Sequence, residues 1–251
     1  MRLDQFVSEK IWLSRNRAQF LISSWLVKVN WILEKKNWLQ ISDSDLVEIA
    51  EDRRKDYVSR SAVKLFDFLS TSDLHVFVNW KKCLDVGAST WWFTQVLLDD
   101  MAYQVFAIDV GSSQLHEKIK SDSRVISKEN TDIRSLDVKD FGSGLDLIVV
   151  DVSFISLSKI IDCLISLMSS DSRLIMLFKP QFEVGNSNLN KRTWVPKNQK
   201  IITIALNSFK CLCKEKGLEI IKISESSLPG ESWNIEYFIL ASKLWCPDSI
   251  N

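Results

Sequence analysis

The chain is poor in glycine, with 7 residues in 251, and poorer in proline, with 4. Glycine ordinarily makes up about 7% of a globular chain, so few turns here have the residue that accepts a positive φ without strain. Histidine is scarcer still: only His75 and His116 occur, and neither ends a core-strand pattern. Imidazole-based acid–base chemistry and Ser/His/Asp hydrolysis therefore find no support in the spacing. The five cysteines (Cys83, Cys163, Cys211, Cys213, Cys246) include no Cys-x-x-Cys pair. That argues for buried thiols and against a zinc site, so no metal is expected. No apolar run approaches the roughly 20 residues that cross a bilayer. The opening MRLDQFVSEK carries charge where a signal peptide is apolar. These absences predict a cytoplasmic protein with no membrane partner.

Net charge is absent too, 32 basic residues matching 32 acidic ones, but the distribution is uneven. Residues 1–40 hold seven basic residues, among them Arg2, Arg15, Arg17 and Lys28, against three acidic, a net +4. Residues 179–200 hold five against one, again +4. Clustered cations can neutralise phosphates even on a neutral chain, although a solvated charged face is the commoner cause. In the first cluster, LDQFVSEK reads as a helix. Ser14 reads as the N-cap of a second, SRNRAQFLISS. Short strands follow at 26–30, 32–36 and 45–50. Such a small α+β unit over residues 1–50 could present Arg and Lys to RNA. EDRRKD (51–56) has no apolar residue and reads as a linker.

From Tyr57 strands and helices alternate, the pattern of a parallel α/β sheet with helices on both faces, here expected over 57–245 with a tail at 246–251. Helices are predicted at 59–71, 92–100, 156–168 and 197–216. Strands are predicted at 82–86, 104–110, 124–127, 145–152, 173–179, 218–224 and 235–242. In open α/β sheets ligands bind beyond the carboxyl ends of the strands. The loop DVGAST (Asp85, Val86, Gly87, Ala88, Ser89, Thr90) starts at such an end, and Gly87 would let the backbone approach a ligand. Asp109, with Val110, ends the next strand about 20 residues later, the placement of a ribose-binding carboxylate. Asp132 follows the third strand, near where an adenine would lie. Any one of these could be a simple turn or cap carboxylate; three at successive strand ends favour a nucleoside ligand. The loop lacks Gly-x-Gly-x-x-Gly and any pyrophosphate cradle, so S-adenosylmethionine fits better than NAD. Four ionisable residues, Lys64, Asp151, Lys179 and Glu236, fall near the same sheet edge. Each alone is more often an ordinary ion-pair residue, but together they could position a hydroxyl and take its proton.

RLDQFVSE (2–9), SRNRAQFLI (14–22), VSRSAVKL (58–65), CLDVGAST (83–90), AIDVG (107–111), DVSFISL (151–157), KPQFE (179–183) and NIEYF (234–238) occur in this order. In these stretches the chain resembles the TlyA (hemolysin A) family, an S4 RNA-binding domain joined to an FtsJ-like methyltransferase domain. The resemblance implies a Rossmann-like fold, S-adenosylmethionine as cofactor and 2′-O-methylation of ribosomal RNA, with cytidine riboses as acceptors. Ribosomal RNA or ribosomal subunits would be the partners. It implies Lys64, Asp151, Lys179 and Glu236 as a Lys-Asp-Lys-Glu catalytic set, with Lys179 as base. A non-catalytic RNA- or ribosome-binding protein is the alternative, and membrane lysis, for which no membrane-active helix is visible, a weaker one.

Against this scarcity of glycine stand 10 tryptophans. The family pattern after DVGAST is a Gly-Gly pair, where this chain has Trp91 and Trp92. Trp12, Trp25, Trp31 and Trp80 occupy turn-like positions, and Trp194 and Trp233 also fall where the family tends to have glycine. Real indoles would block or reshape the donor site. Alternatively these codons are UGA, which some bacteria read as glycine. The two residue types together number 17 of 251, close to the ordinary glycine share of about 7%, which favours the second reading.

Overall fold

The chain divides into two compact units, Met1–Phe66 and Asp67–Asn251. The computed structural model describes residues 1–10, 14–50, 53–57, 59–89, 92–112, 119, 121–230 and 233–244, with Lys55 and Trp92 described by backbone alone. Trp12, Trp91, Glu51 and Asp52 of the expected linker, and the expected tail at 246–251 lie outside the described residues.

In the first unit α1 (Leu3–Lys10) packs against α2 (Arg15–Ser23). Leu3 and Val7 of α1 share a core with Ala18, Leu21 and Ile22 of α2 and with Val27 and Val47 of a small sheet. Ser14 caps α2 as its sequence predicts, its Oγ accepting from the Arg17 amide at 3.3 Å. The sheet is antiparallel, in the order β2-β1-β3, from β1 (Val27–Val29), β2 (Ile32–Leu33) and β3 (Val47–Ile49). The strand expected over 32–36 stops at Leu33. There the Glu34 carboxylate accepts from the Lys35 and Lys36 amides at 2.7 and 2.8 Å, and turns the chain out of the sheet.

Asp4 is fully buried yet stays charged. Burial opposes its ionisation, but hydrogen bonds from Gln19 (2.8 Å), Arg15 (3.0 Å) and Arg2 (3.1 Å) outweigh that and hold its pKa at about 2. Because the folded value lies below the ordinary 3.8, this stabilisation is complete above pH 3.8 and is lost as pH falls through about 2. Asp4→Asn is expected to destabilise the N-terminal unit by about 2 kcal/mol at neutral pH. Faster amide exchange across α1 and α2 would register this, and the gap from the parent chain should close as pH drops toward 2.

Helix α3 (Arg60–Thr71) carries the chain across the boundary between the units. The second unit is built on a seven-stranded sheet ordered β6-β5-β4-β7-β8-β10-β9. Its strands are β4 (Lys82–Val86), β5 (Gln104–Ile108), β6 (Val125–Lys128), β7 (Leu145–Val150), β8 (Met168–Phe178), β9 (Leu218–Glu225) and β10 (Tyr237–Lys243). The first five are mutually parallel, and β10 runs antiparallel to both β8 and β9. The helices are α4 (His75–Val78), α5 (Trp92–Asp99), α6 (Ile161–Leu167), α7 (Pro180–Glu183) and α8 (Gln199–Glu215). The helix expected over 156–168 is split into a 3-10 turn, Leu157–Lys159, and α6.

Alternate strand residues face opposite sides. Leu84, Val86, Phe106, Ile148 and Met176 join a core with Ile161 and Leu164 of α6 and Ile202, Phe209 and Cys213 of α8. Their neighbours Cys83, Val105, Leu147, Val149 and Ile175 are equally buried on the other face, where the Phe68 ring of α3 stacks on Phe238 of β10 at 4.6 Å. Two covered faces explain why these strands read as unbroken apolar runs. The chain order reverses between β4 and β7, so the switch point lies where Val86 and Val150 end.

Candidate functional site

At that switch point the backbones of two strand ends touch. The Asp151 amide donates to the Val86 carbonyl at 2.9 Å, and Gly87 turns away with φ +80°. A Cβ at Gly87 would lie 2.5 Å from the Asp151 carbonyl oxygen, so no larger residue fits without moving one strand. The Gly87 and Ala88 amides donate to the Ile108 carbonyl at 2.9 and 3.1 Å, folding the loop over the end of β5. Asp109 then holds it: its carboxylate accepts from the Ser89 amide at 2.7 Å and from the Gly111 amide at 2.6 Å. Asp109 thus braces both loops as well as facing the cleft. Asp132 caps the 3-10 turn Ile133–Ser135 through the Arg134 amide and pairs with the Arg134 guanidinium at 2.6 Å.

Asp85 is fully buried beneath the loop. Thr94 of α5 donates to one carboxylate oxygen at 2.7 Å, while the other has no donor among the described residues. Burial, only partly offset by Thr94 and reinforced by the nearby Asp151 and Asp109, pushes its pKa up to about 7. A cavity of about 440 Å³ opens above these residues, lined by Gly87, Ser89, Asp109, Val110 and Asp132 at one end and by Asp151, Ser153, Phe154 and Lys179 at the other. The close backbone approach at Gly87, the successive carboxylates and the absence of a phosphate cradle fit S-adenosylmethionine.

At the second end, Lys179 Nζ lies 2.7 Å from the Asp151 carboxylate and donates to Ser153 Oγ at 2.9 Å. Both charged side chains are largely buried, at 11% and 4% exposure. They sit at the carboxyl ends of the adjacent parallel strands β7 and β8. Glu236 comes in from β10. The antiparallel register pairs Tyr237 with Phe178, and one further step puts Glu236 opposite Lys179. Its carboxylate fills the space that a side chain at Gly230 would need, 2.1 Å from a Cβ built there. Lys64 is buried on α3 within the first unit; in the second unit Asp151 and Lys179 are in contact, and Glu236 is buried one register step before Tyr237.

The sequence reading overlooked several residues. Phe154 is 92% exposed with φ +66°, and its ring tilts against that of Phe182 at 5.4 Å. Glu183 at the end of α7 accepts from Ser156 Oγ at 2.5 Å and from the Leu157 amide at 2.8 Å, clamping the loop that carries Asp151, Ser153 and Phe154. Burial raises its pKa, and those two hydrogen bonds only partly offset this. Both residues lie inside the DVSFISL and KPQFE stretches, but pairing across 27 residues has no periodicity to announce it. The structure also joins Ser70, His75 and Asp100, with His75 bonded to Ser70 Oγ at 2.8 Å and to the Asp100 carboxylate at 2.5 Å. The sequence spacing gave no hint of this chain. None of its members lines the cavity, and it ties α4 to the ends of α3 and α5.

The four residues expected to meet RNA differ in their surroundings. Arg2 and Arg15 pair with Asp4. Arg17 stacks over Phe20 at 4.4 Å and donates to the Tyr57 carbonyl. Lys28 is exposed at the centre of β1.

A parallel sheet whose order reverses at the Gly87 loop, followed by an antiparallel β10, defines a Rossmann-like methyltransferase domain. The FtsJ-like methyltransferase model matches residues 57–243. The chain is 34% identical to the Campylobacter jejuni 23S rRNA (cytidine-2'-O)-methyltransferase TlyA, over 95% of this chain and 98% of that protein. It is 35% identical to the Mycobacterium tuberculosis 16S/23S rRNA (cytidine-2'-O)-methyltransferase TlyA, over 90% and 83%. A solved Streptococcus thermophilus structure, named as a candidate hemolysin, superposes with a TM-score of 0.73 at 29% identity, covering 98% of this chain and 90% of that one. The chain belongs to the TlyA family of FtsJ-like methyltransferases.

A carboxyl whose folded pKa is raised costs stability as pH climbs. For Asp85 that cost begins above the ordinary 3.8 and is complete above about 7. Asp85→Asn is therefore expected to flatten the fall in stability between those values, measured by urea unfolding at stepped pH. An unchanged slope would show that Asp85 is not the titrating group.

Proposed function

We propose that this protein transfers the methyl group of S-adenosylmethionine to a ribose 2′-hydroxyl of ribosomal RNA, with cytidine as the target nucleoside. The observation that carries this reading is the single cavity joining the Gly87 loop to the Asp151–Lys179 pair. The donor supplies an electrophilic methyl on a positively charged sulfur. Gly87, Ser89 and the Asp109-braced loop hold it at one end, and Asp132 lies beside its base. The acceptor hydroxyl enters at the other end. There Nζ of Lys179 is the acceptor for the hydroxyl proton as the oxygen bonds to the methyl carbon and the carbon–sulfur bond breaks, leaving the neutral thioether S-adenosylhomocysteine. Asp151 and Ser153 fix that nitrogen in place, and Glu236 opposite adds a second carboxylate to orient it. Lys64 completes the set by family resemblance. The exposed Phe154 ring offers a face on which a splayed-out base can stack.

The first unit serves as an S4-type RNA-binding module, with Arg2, Arg15, Arg17 and Lys28 meeting phosphates. A ribosomal substrate supports a cytoplasmic location. Among the described residues no helix is long and apolar enough to cross a membrane.

Lys179→Ala is expected to lower kcat by about 10²–10⁴-fold while calorimetry shows donor binding retained; full methyl transfer by this variant would remove Lys179 from its role. Lys28→Glu is expected to weaken RNA binding and to reduce the salt dependence of the affinity by about one phosphate contact. An unaltered salt slope would mean that Lys28 meets no phosphate.

A further inference from the structure

Five tryptophans have glycine backbones. Trp25, Trp31, Trp80, Trp194 and Trp233 have φ between +56° and +66°, the left-handed region that only a few per cent of non-glycine residues enter. They are five of the seven tryptophans among the described residues, where four of the seven glycines also have positive φ. All remaining residue types together contribute six such positions, three of them Asn or Asp, the side chains that tolerate this conformation best.

The local motifs are equally specific. Trp31 follows Asn30 in the two-residue loop between the paired residues Val29 and Ile32. Both loop residues have positive φ, which makes a type I′ turn, the turn that Asn-Gly forms. Trp25 lies one residue past the α2 cap. Its amide donates to the Ile22 carbonyl at 3.1 Å, and the Leu26 amide to Leu21 at 3.0 Å. That is the Schellman ending whose left-handed position is usually glycine. Gly217 holds the same place after α8, with φ +79° and its amide on Lys214 at 3.1 Å. Trp80 follows the α4 cap, Asn79. Trp194 closes the turn in which the Asn190 amide reaches Val195. Trp233 lies three residues before Glu236 and adjoins Asn234, whose carbonyl accepts from the Gly230 amide at 2.8 Å.

The side chains tell the same story. Trp31, Trp80, Trp194 and Trp233 are 59–74% exposed, whereas indole is normally among the most buried groups. Trp25 is half-buried with Lys35 Nζ over its ring at 3.7 Å, and the Trp80 ring lies beside Tyr103 at 6.3 Å. Backbones strained for tryptophan, with four of the five indoles largely exposed, are what glycine positions look like when a large residue occupies them.

We infer that the natural polypeptide carries glycine at positions 25, 31, 80, 194 and 233, from UGA codons decoded as glycine. The assignment is independent of the methyl-transfer reading, since it rests on backbone geometry and side-chain exposure. It also bears on the active site, because glycine at 233 frees the turn leading into Glu236 of an exposed indole.

Two measurements test it. Peptide mass spectrometry of the protein from its native cells, set beside the coding DNA, should find glycine and UGA at all five positions; tryptophan with UGG there overturns the inference. Recombinant chain as written should also melt at least about 5 °C below a chain carrying Trp25→Gly, Trp31→Gly, Trp80→Gly, Trp194→Gly and Trp233→Gly. Equal or lower stability of the five-glycine chain counts against it, whatever either chain's methyltransferase activity.

Discussion

The site depends on one backbone contact, the approach of Gly87 to the Asp151 carbonyl at the sheet's switch point. Where the chain order reverses, the ends of β4 and β7 are hydrogen-bonded neighbours, so the residue after β4 must leave the sheet without colliding with the residue after β7. With a Cβ at position 87 falling 2.5 Å from a carbonyl oxygen, only glycine satisfies both the φ and the distance. The same contact sets the cleft's geometry. It brings the Gly87 loop and the carboxylate that holds Lys179 onto adjacent strand ends, over one cavity.

A cost comes with that arrangement. Asp85, inside β4, is fully buried, and the nearby Asp151 and Asp109 add like charge to the burial that opposes its ionisation. Asp151 is paired with Lys179, Asp109 accepts two loop amides, and Asp85, left with Thr94 alone, has its pKa pushed toward neutrality. Glu183 belongs to the same economy, since its buried carboxylate fixes the loop from Ser153 to Leu157. The loops that line the cavity are thus held by hydrogen bonds to carboxylates from neighbouring segments.

Much of this was legible in the sequence, and the part that was not has a common cause. The strand at 82–86, the carboxylate about 20 residues on, and the strand-end residues Asp151 and Lys179 are local signals, carried by runs of apolar residues and the residue that ends each. Glu236 was legible as a residue at the start of the last predicted strand, but the pairing of that strand antiparallel to β8 cannot be read from periodicity. Thr94 under Asp85, Glu183 on Ser156 and Gly230 beside Glu236 are contacts between segments whose separation carries no pattern. The second strand of the small sheet was overread because Glu34 looks like one more polar residue in an alternating run. Its carboxylate instead binds the next two amides and ends the strand.

Glycine scarcity takes on a different meaning in this light. Backbone geometry at a type I′ turn or a Schellman ending is fixed by the strands and helices on either side, since β1 and β2 can pair in the Val29–Ile32 register only if both loop residues take positive φ. The demand for a left-handed residue therefore exists whichever side chain occupies the position. Glycine, Asn and Asp meet it cheaply, and Phe154 meets it where an exposed ring faces the cleft, a setting in which strain has a use. At Trp25, Trp31, Trp80 and Trp194 there is neither a tolerant side chain nor a cleft to serve. What remains to account for them is the codon, and a fold that still forms its turns at those points behaves as one selected with glycine in place.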